Sequence, residues 1–239
     1  LNANVLVRGE VTKPAQEVQR GFLQVLSDVP ADEIKPNKSG RRELANWLTS
    51  KENPLTARVM VNRIWMHLFG EAIVSTPNNW GLTGQAPSHP ELLDHLAIQF
   101  MENGWSVKKL IREIVQSDAY QRSSEFNSEN YSVDPDNKWL WRANQRQLDA
   151  EALRDSMLVV SGNLESERPV GSIVGTFGDA RVGRQLDQSS FSPMDAHRSV
   201  YLPVIRDLLP ESLALFDFAD PSLSNEKRDV TNVPSQALY

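Results

Sequence analysis

Apolar residues recur every three to four positions in a series of segments between residues 40 and 161, and this periodicity constrains the fold more than any other feature. Such spacing places the apolar side chains on one face of an α-helix. The segments are joined by short connections, which predicts helices packed antiparallel around a shared core. The predicted helices begin at or near Arg41, Asn53, Ser88, Ser106 and Leu148.

Residues that start and stop helices flank these segments. Asn53 and Ser106 are expected to cap helix N-termini, because their side chains can accept hydrogen bonds from free backbone N–H groups. Ser88 and Glu91 have the spacing of a capping box. Three helices are expected to end at glycines, which tolerate the left-handed conformation of a helix terminus: Gly70, Gly104 and Gly162.

The rest of the chain is less regular, and we predict a single domain over residues 1–239. We expect an extended segment at 1–38, a helical core at 40–161, a Gly-rich loop at 162–197, and a strand with C-terminal helices at 198–239. Residues 5–7 and 199–205 have the apolar character of short strands and are expected to pair. The predicted fold class is therefore mainly α: a compact antiparallel helical domain with a small β element and one long Gly-rich loop.

The composition excludes several kinds of function. The chain has 25 Lys and Arg against 31 Asp and Glu, a net charge of −6, which argues against nucleic acid as a partner. It has no cysteine, so we expect no disulfide, thiolate metal site or covalently attached haem, and no cofactor on this chain. No apolar run is long enough to span a membrane. Because the sequence begins at Leu1 and ends at Tyr239 just after a helix start, we expect it to be a piece of a longer polypeptide.

Catalytic and metal motifs are missing or incomplete. The sequence has no phosphate-binding Gly-Lys-Ser/Thr loop, no His-Glu-x-x-His and no Gly-x-Ser-x-Gly. Residues 134–137 begin like a calcium loop but lack its later Gly and Glu, so helix capping by Asp134 is the favoured interpretation. One cluster has potential metal ligands or an acid–base pair, although its position at a helix start favours capping: His89, Glu91, Asp94 and His95.

Two groups of residues are candidates for ligand binding. Arg58, Asn62 and Arg63 on one predicted helix have the chemistry to bind a carboxylate or sugar hydroxyls. Trp80 and Trp139 are expected in or near loops, where an indole can stack on a sugar ring, and His89 lies at a helix start nearby in the sequence. Packing and bonding within the chain are the commoner roles for such residues, and both interpretations stay open. A charged set is expected to form internal ion pairs: Arg146, Asp149, Glu151, Arg154 and Asp155.

Several segments, taken together, resemble the family called domain of unknown function 1553, which is abundant in planctomycete bacteria. The resemblance extends from about Val5 to the last residue, with His95 in place of an expected Trp and Pro14-Ala15-Gln16 in place of Pro-Gly-acid. The motifs that carry it are NPLTARVMVNRIW at 53–65, LFG at 68–70, PSHPELLD at 87–94, GWSVKKLI at 104–111, DPDN at 134–137, LDAE at 148–151, and TNVPSQAL at 231–238.

The resemblance implies the kind of protein to which this chain belongs and its location, but it implies no particular reaction. Members of the family are typically large, exported proteins, often with a cytochrome-c-like module, so the resemblance implies an extracytoplasmic location. The leading hypothesis is a non-catalytic or accessory module that binds a polysaccharide or neighbouring domains of the same polypeptide. The alternatives are a hydrolase with paired carboxylates acting on a glycan, and a docking domain for the cytochrome-c-like module.

Overall fold

The computed structural model describes residues 3–26, 28–29, 31–171, 174, 196–205 and 209–239. Most of the predicted Gly-rich loop, at 172–173 and 175–195, therefore lies outside the described residues. The described chain is mainly helical with one small two-stranded sheet, which confirms the predicted fold class. It divides into two compact units, unit 1 at residues 1–144 and unit 2 at 145–239, which are considered separately; the single domain stays a prediction.

The sheet is a hairpin in unit 1, formed by β1 (Ala3–Leu6) and β2 (Pro14–Val18). The predicted pairing of residues 5–7 with 199–205 is wrong, since β1 pairs antiparallel with β2. Arg8 and Gly9 have positive φ angles of 53° and 79°, which reverse the chain between the strands. Strands so close in sequence meet at a small cost in loop entropy, whereas a partner 190 residues away would cost more.

Unit 1 contains five helices in the part of the chain that is described: α1 (Arg41–Leu48), α2 (Thr56–Phe69), α3 (Pro90–Glu102), α4 (Val107–Val115) and α5 (Ser128–Val133). Its core lies between α2, α3 and α4, where Trp65 stacks on Phe69 with ring centroids 4.1 Å apart. Residues 73–74 complete this core from the loop after α2. The buried apolar residues are Ala57, Val61, Trp65, Phe69, Ile73, Val74, Leu93, Leu96, Ala97, Phe100, Leu110 and Ile114.

Most of the predicted helix boundaries in unit 1 are confirmed. Ser106 caps α4. The Asn53 side-chain oxygen accepts hydrogen bonds from the N–H groups of Leu55 and Thr56 at 3.0 and 3.3 Å, but α2 begins at Thr56, two residues later than predicted. Gly70 ends α2 with a φ of 86°. The capping box at Ser88 is wrong: its hydroxyl bonds to the His89 ring instead and leaves the α3 N-terminus without a side-chain cap.

The end of α3 shows why Gly104 was predictable. Gly104, at φ 70°, donates its N–H to the carbonyl of Met101, and Trp105 donates to the carbonyl of Phe100. This pair of bonds satisfies carbonyls that would otherwise lack partners at the helix end. The Trp105 and Phe100 rings meet edge to face at 5.3 Å, which adds an apolar contact to the same turn.

Unit 2 contains α6 (Ala150–Val160), α7 (Glu211–Leu215) and α8 (Pro234–Leu238). Residues Ser199–Tyr201 form a short 3-10 helix, so the strand predicted at 199–205 is wrong there. Ala150, Leu202 and Leu213 are buried together, with Phe216 and other partly buried rings packed against them. No helix in the described chain has the length and apolar character needed to cross a membrane.

Candidate binding surface around Trp139

A loop at residues 134–144 follows α5 and is organised by one buried carboxylate. Asp134 is only 8% exposed, and its two oxygens accept the backbone N–H groups of Lys138 at 2.9 Å and Trp139 at 2.8 Å. Its backbone carbonyl accepts the indole N–H of Trp141 at 2.9 Å. Asp134 follows the last residue of α5, so it fixes the loop and does not start a helix as the capping interpretation predicted.

Two asparagines complete this loop. The buried Asn137, at φ 53°, donates its amide to the carbonyl of Arg142 at 2.8 Å and to the Asn144 side-chain oxygen at 2.7 Å. Asn144 in turn donates to the carbonyl of Phe69 at the end of α2, at 3.0 Å. Because these bonds bring together residues far apart in sequence, they anchor the loop to the helical core.

The loop presents Trp139 to solvent. Trp139 is 67% exposed, whereas Trp47 and Trp65 are buried and the other three tryptophans are partly buried. The His89 ring meets the Trp139 ring nearly at a right angle, with centroids 5.2 Å apart. The ammonium of Lys138 lies 6.0 Å from the indole centroid, at the outer limit of a cation–π contact. An indole, an imidazole and a cation therefore share one surface.

The surroundings of His89 favour the neutral form of its imidazole. Its partial burial lowers its pKa below the ordinary value of 6.5, and the positive charge of Lys138 lowers it further, against the opposing effect of Asp134. The Nδ1 atom lies 2.9 Å from the Ser88 hydroxyl. A neutral ring with one nitrogen already bonded suits recognition of a hydroxyl group better than binding of an anion.

The other predicted binding residues have partners elsewhere in unit 1. Arg58 donates to the Asp94 carboxylate and to the carbonyl of Pro54, both at 2.6 Å. Arg63 donates to the Asn78 side chain at 2.9 Å and is exposed. Trp80 donates its indole N–H to the carbonyl of Pro77 and packs against the apolar core.

Asn62 lies deepest of the six predicted residues. It is fully buried, and its amide both donates to the carbonyl of Val74 at 3.0 Å and accepts the Val74 N–H at 2.8 Å. This two-point bond satisfies the backbone of a buried segment. Of the six candidates, the structure thus brings His89 and Trp139 into mutual contact and connects Arg58, Asn62, Arg63 and Trp80 to other groups.

Asp94 in unit 1 and Glu151 and Asp155 in unit 2 are held by hydrogen-bond donors. Asp94 has a lowered pKa because Arg58 donates a hydrogen bond to it. Within the residues that are described, no three His, Asp or Glu side chains are grouped closely enough to hold a metal ion, so the interpretation of residues 89–95 as a metal site gains no support.

In unit 2 the expected internal ion pairs are confirmed for three members of the charged set, Glu151, Arg154 and Asp155. Arg228 binds both carboxylate oxygens of Glu151, at 2.5 and 2.8 Å, and this lowers the pKa of Glu151. Burial raises the pKa of Asp155, but the N–H of Ser199 and the guanidinium of Arg198 outweigh it, so the pKa is lowered. A glycosidase general acid needs a raised pKa, which makes Asp94, Glu151 and Asp155 unsuited to that role.

Sequence reasoning missed the residues that build this surface. The sequence pattern at Asp134 and Asn137 suggests a calcium loop or a helix cap. Neither interpretation includes the loop that these residues form. The signal that identifies them is the dense run of Asp, Pro and Asn before two tryptophans, since such residues bond to nearby backbone in turns. Asn144 gives no such signal, because its partner is 75 residues away.

Comparison with known proteins gives one family and no close relative. No curated protein and no solved structure matches the chain significantly. The family model of a protein of unknown function, DUF1553 (PSD1), matches residues 40–239. The match starts at residue 40, so residues 5–39, which were expected to share the resemblance, lie outside it. Because the match covers most of the chain and includes residues of both units, this chain belongs to the DUF1553 family.

Proposed function

We propose that this chain is a non-catalytic binding module of an exported multidomain protein, and that it binds a polysaccharide through Trp139. The observation that carries the proposal is the 67% exposure of this one indole on an otherwise fixed loop. An indole offers a large, flat apolar surface with a polar N–H, and on a fixed loop its exposed face is available to a ligand. The C–H groups on one face of a sugar ring pack well against an indole.

The surroundings of Trp139 favour binding because they are ordered before a ligand arrives. Its backbone N–H is held by Asp134, and its ring contacts His89. A side chain that is already held in place loses little conformational entropy on binding. The neutral imidazole of His89 and the ammonium of Lys138 add polar groups beside the indole, as recognition of hydroxyl-rich ligands requires.

The wider context of the proposal comes from the family resemblance. Exported members with several domains place such a module where extracellular polysaccharide and neighbouring domains of the same polypeptide are available. Stacking and hydrogen bonding need no cofactor. An extracytoplasmic location and a binding role are parts of the same proposal: the location depends on the family resemblance, and the binding role depends on the surface at Trp139.

The test is a titration of the 239-residue chain with a panel of soluble polysaccharides, followed by tryptophan fluorescence and affinity electrophoresis. We expect at least one polysaccharide to change the fluorescence and Trp139→Ala to weaken its binding about tenfold, the loss expected for one aromatic contact. Trp139→Phe should restore most of the affinity, because the phenyl ring still stacks.

Tyr239→Ala is the matched control, since Tyr239 is also an exposed aromatic residue at 64% but lies in unit 2. Its affinity should equal that of the unchanged chain. Equal affinities of Trp139→Ala and the unchanged chain would contradict the proposal, as would a panel in which no polysaccharide binds.

A further inference from the structure

Unit 2 contains an open groove of about 630 Å³ beside the C-terminal half of α6. Val159 and Val160 of that helix and Leu164 after it form its apolar part. Arg198 and Asp155 form its charged part. All of these residues belong to unit 2 and lie apart in sequence from those that surround Trp139.

The charged part of the groove has a cation with unused donors. The Nε atom of Arg198 lies 3.5 Å from one oxygen of Asp155, and the other Asp155 oxygen accepts the N–H of Ser199 at 2.7 Å. Among the described residues, the two terminal nitrogens of Arg198 have no partner within hydrogen-bonding distance, and its side chain is 59% exposed. A guanidinium held in this way can bind a carboxylate with two parallel hydrogen bonds.

The apolar part is shallow. Val159 and Val160 are 59% and 88% exposed, so a small molecule lying on them would stay largely in contact with water. Small-molecule sites usually bury most of the ligand. When a protein segment binds, the rest of the partner protein shields the contact from water.

We infer that the groove binds an extended protein segment that has aliphatic side chains next to an acidic residue. The aliphatic side chains cover Val159, Val160 and Leu164, and the acidic side chain pairs with the terminal nitrogens of Arg198. This adds a protein partner in unit 2 to the polysaccharide proposed for unit 1. The two bindings use different residues and are tested independently.

The test uses two fluorescently labelled peptides, each with three aliphatic residues followed by either Glu or Gln, and measures their anisotropy with the 239-residue chain. We expect the Glu peptide to bind about tenfold tighter than the Gln peptide, the value of one charge-assisted bond pair. Arg198→Gln should abolish this preference. Val160→Ser should weaken both peptides about threefold to fivefold, because apolar contact area is lost.

Matched controls are available in unit 1. Arg122→Gln removes another exposed arginine, and Val133→Ser another valine, which is 83% exposed. Neither should change the affinity. If Arg198→Gln lowers the melting temperature, Arg198→Lys is the variant to measure. It keeps the positive charge but lacks the two terminal nitrogens of the guanidinium. A weaker preference for the Glu peptide over the Gln peptide should therefore persist.

Three outcomes would overturn the inference. The first is equal affinity for the Glu and Gln peptides. The second is an unchanged preference in Arg198→Gln. The third is octanoate binding as tightly as the Glu peptide, which would make the groove a small-molecule site.

Discussion

The two units hold their elements together by different kinds of polar contact. In unit 1, a large apolar core is accompanied by neutral amides that bond to distant backbone groups, as Asn62 does to Val74. In unit 2, the buried apolar cluster is small, and charged side chains make most of the described long-range links, as in the pair of Glu151 and Arg228. Amide bonds do not titrate, whereas ion pairs depend on pH and salt. We therefore expect unit 2 to be the acid-sensitive part of the chain.

The largest expected effect comes from Asn62→Ala. The change leaves the N–H and the carbonyl of Val74 buried without partners, and we expect a loss of about 4 kcal/mol in the free energy of unfolding of unit 1. Urea unfolding followed by tryptophan fluorescence measures it directly, because all six tryptophans lie in unit 1.

Asn78→Ala is the control for this change. Asn78 is exposed and bonds only to the side chain of Arg63 among the contacts described, so the loss should stay below about 0.5 kcal/mol. A loss in Asn62→Ala as small as that of the control would show that neutral amides do not hold unit 1 together.

An intermediate effect is expected for Glu151→Gln in unit 2. The two partners are 29% and 35% exposed, so solvent screens the pair and we expect a loss of about 1 kcal/mol. Since unit 2 contains no tryptophan, hydrogen exchange of the α6 amides is the measurement. A double-mutant cycle with Arg228→Gln isolates the pair itself.

The same pair sets the direction of the pH dependence. The pKa of Glu151 is lower in the folded chain than its ordinary value of 4.5, so its stabilising contribution is fully present above about pH 4.5. The contribution is lost as the pH falls through the lowered pKa. Protection of α6 should therefore decrease in acid before protection of α2, and the difference should shrink in Glu151→Gln. Equal decreases in both helices would remove the distinction between the units.

The smallest effect is expected for Arg58→Gln in unit 1. Arg58 and Asp94 form a close ion pair, but Asp94 is half exposed, so the loss should be at most about 0.5 kcal/mol. Fluorescence-detected unfolding at low and at high salt gives the measurement, and high salt should abolish the difference from the unchanged chain. A loss well above 0.5 kcal/mol at low salt that shrinks at high salt would mean that unit 1 also depends on charge.

Sequence reasoning succeeded where the deciding contacts are local. Asn53, Gly70, Gly104 and Ser106 end or start helices through bonds to groups a few residues away, and each was predicted. Ser88 shows the limit of that reasoning. Its spacing to Glu91 satisfies the capping-box pattern, yet the hydroxyl bonds to the adjacent His89 ring, a competitor that the pattern does not include.

Prediction was weaker where the partner is distant in sequence. The position of Asn62 in a helical pattern does not show that its amide bonds to Val74. The largely polar sequence of β2 does not have the apolar pattern by which strands are predicted. The exposure of Trp139 depends on the bonds of Asp134, Asn137 and Asn144, which form only when α5 and the end of α2 are in place. The sequence therefore predicts the helices well and the candidate surface only as a set of residue types.

The bond between Asn62 and Val74 also fixes how α2 is turned about its own axis. An α-helix advances by 3.6 residues per turn, so a shift by one residue would rotate the amide about 100° away from Val74. Because both the oxygen and the nitrogen of the amide are engaged, such a rotation would break two hydrogen bonds at once. The buried amide therefore fixes the rotation of α2 about its axis. That rotation determines which side chains of α2 face solvent, including the exposed Arg63.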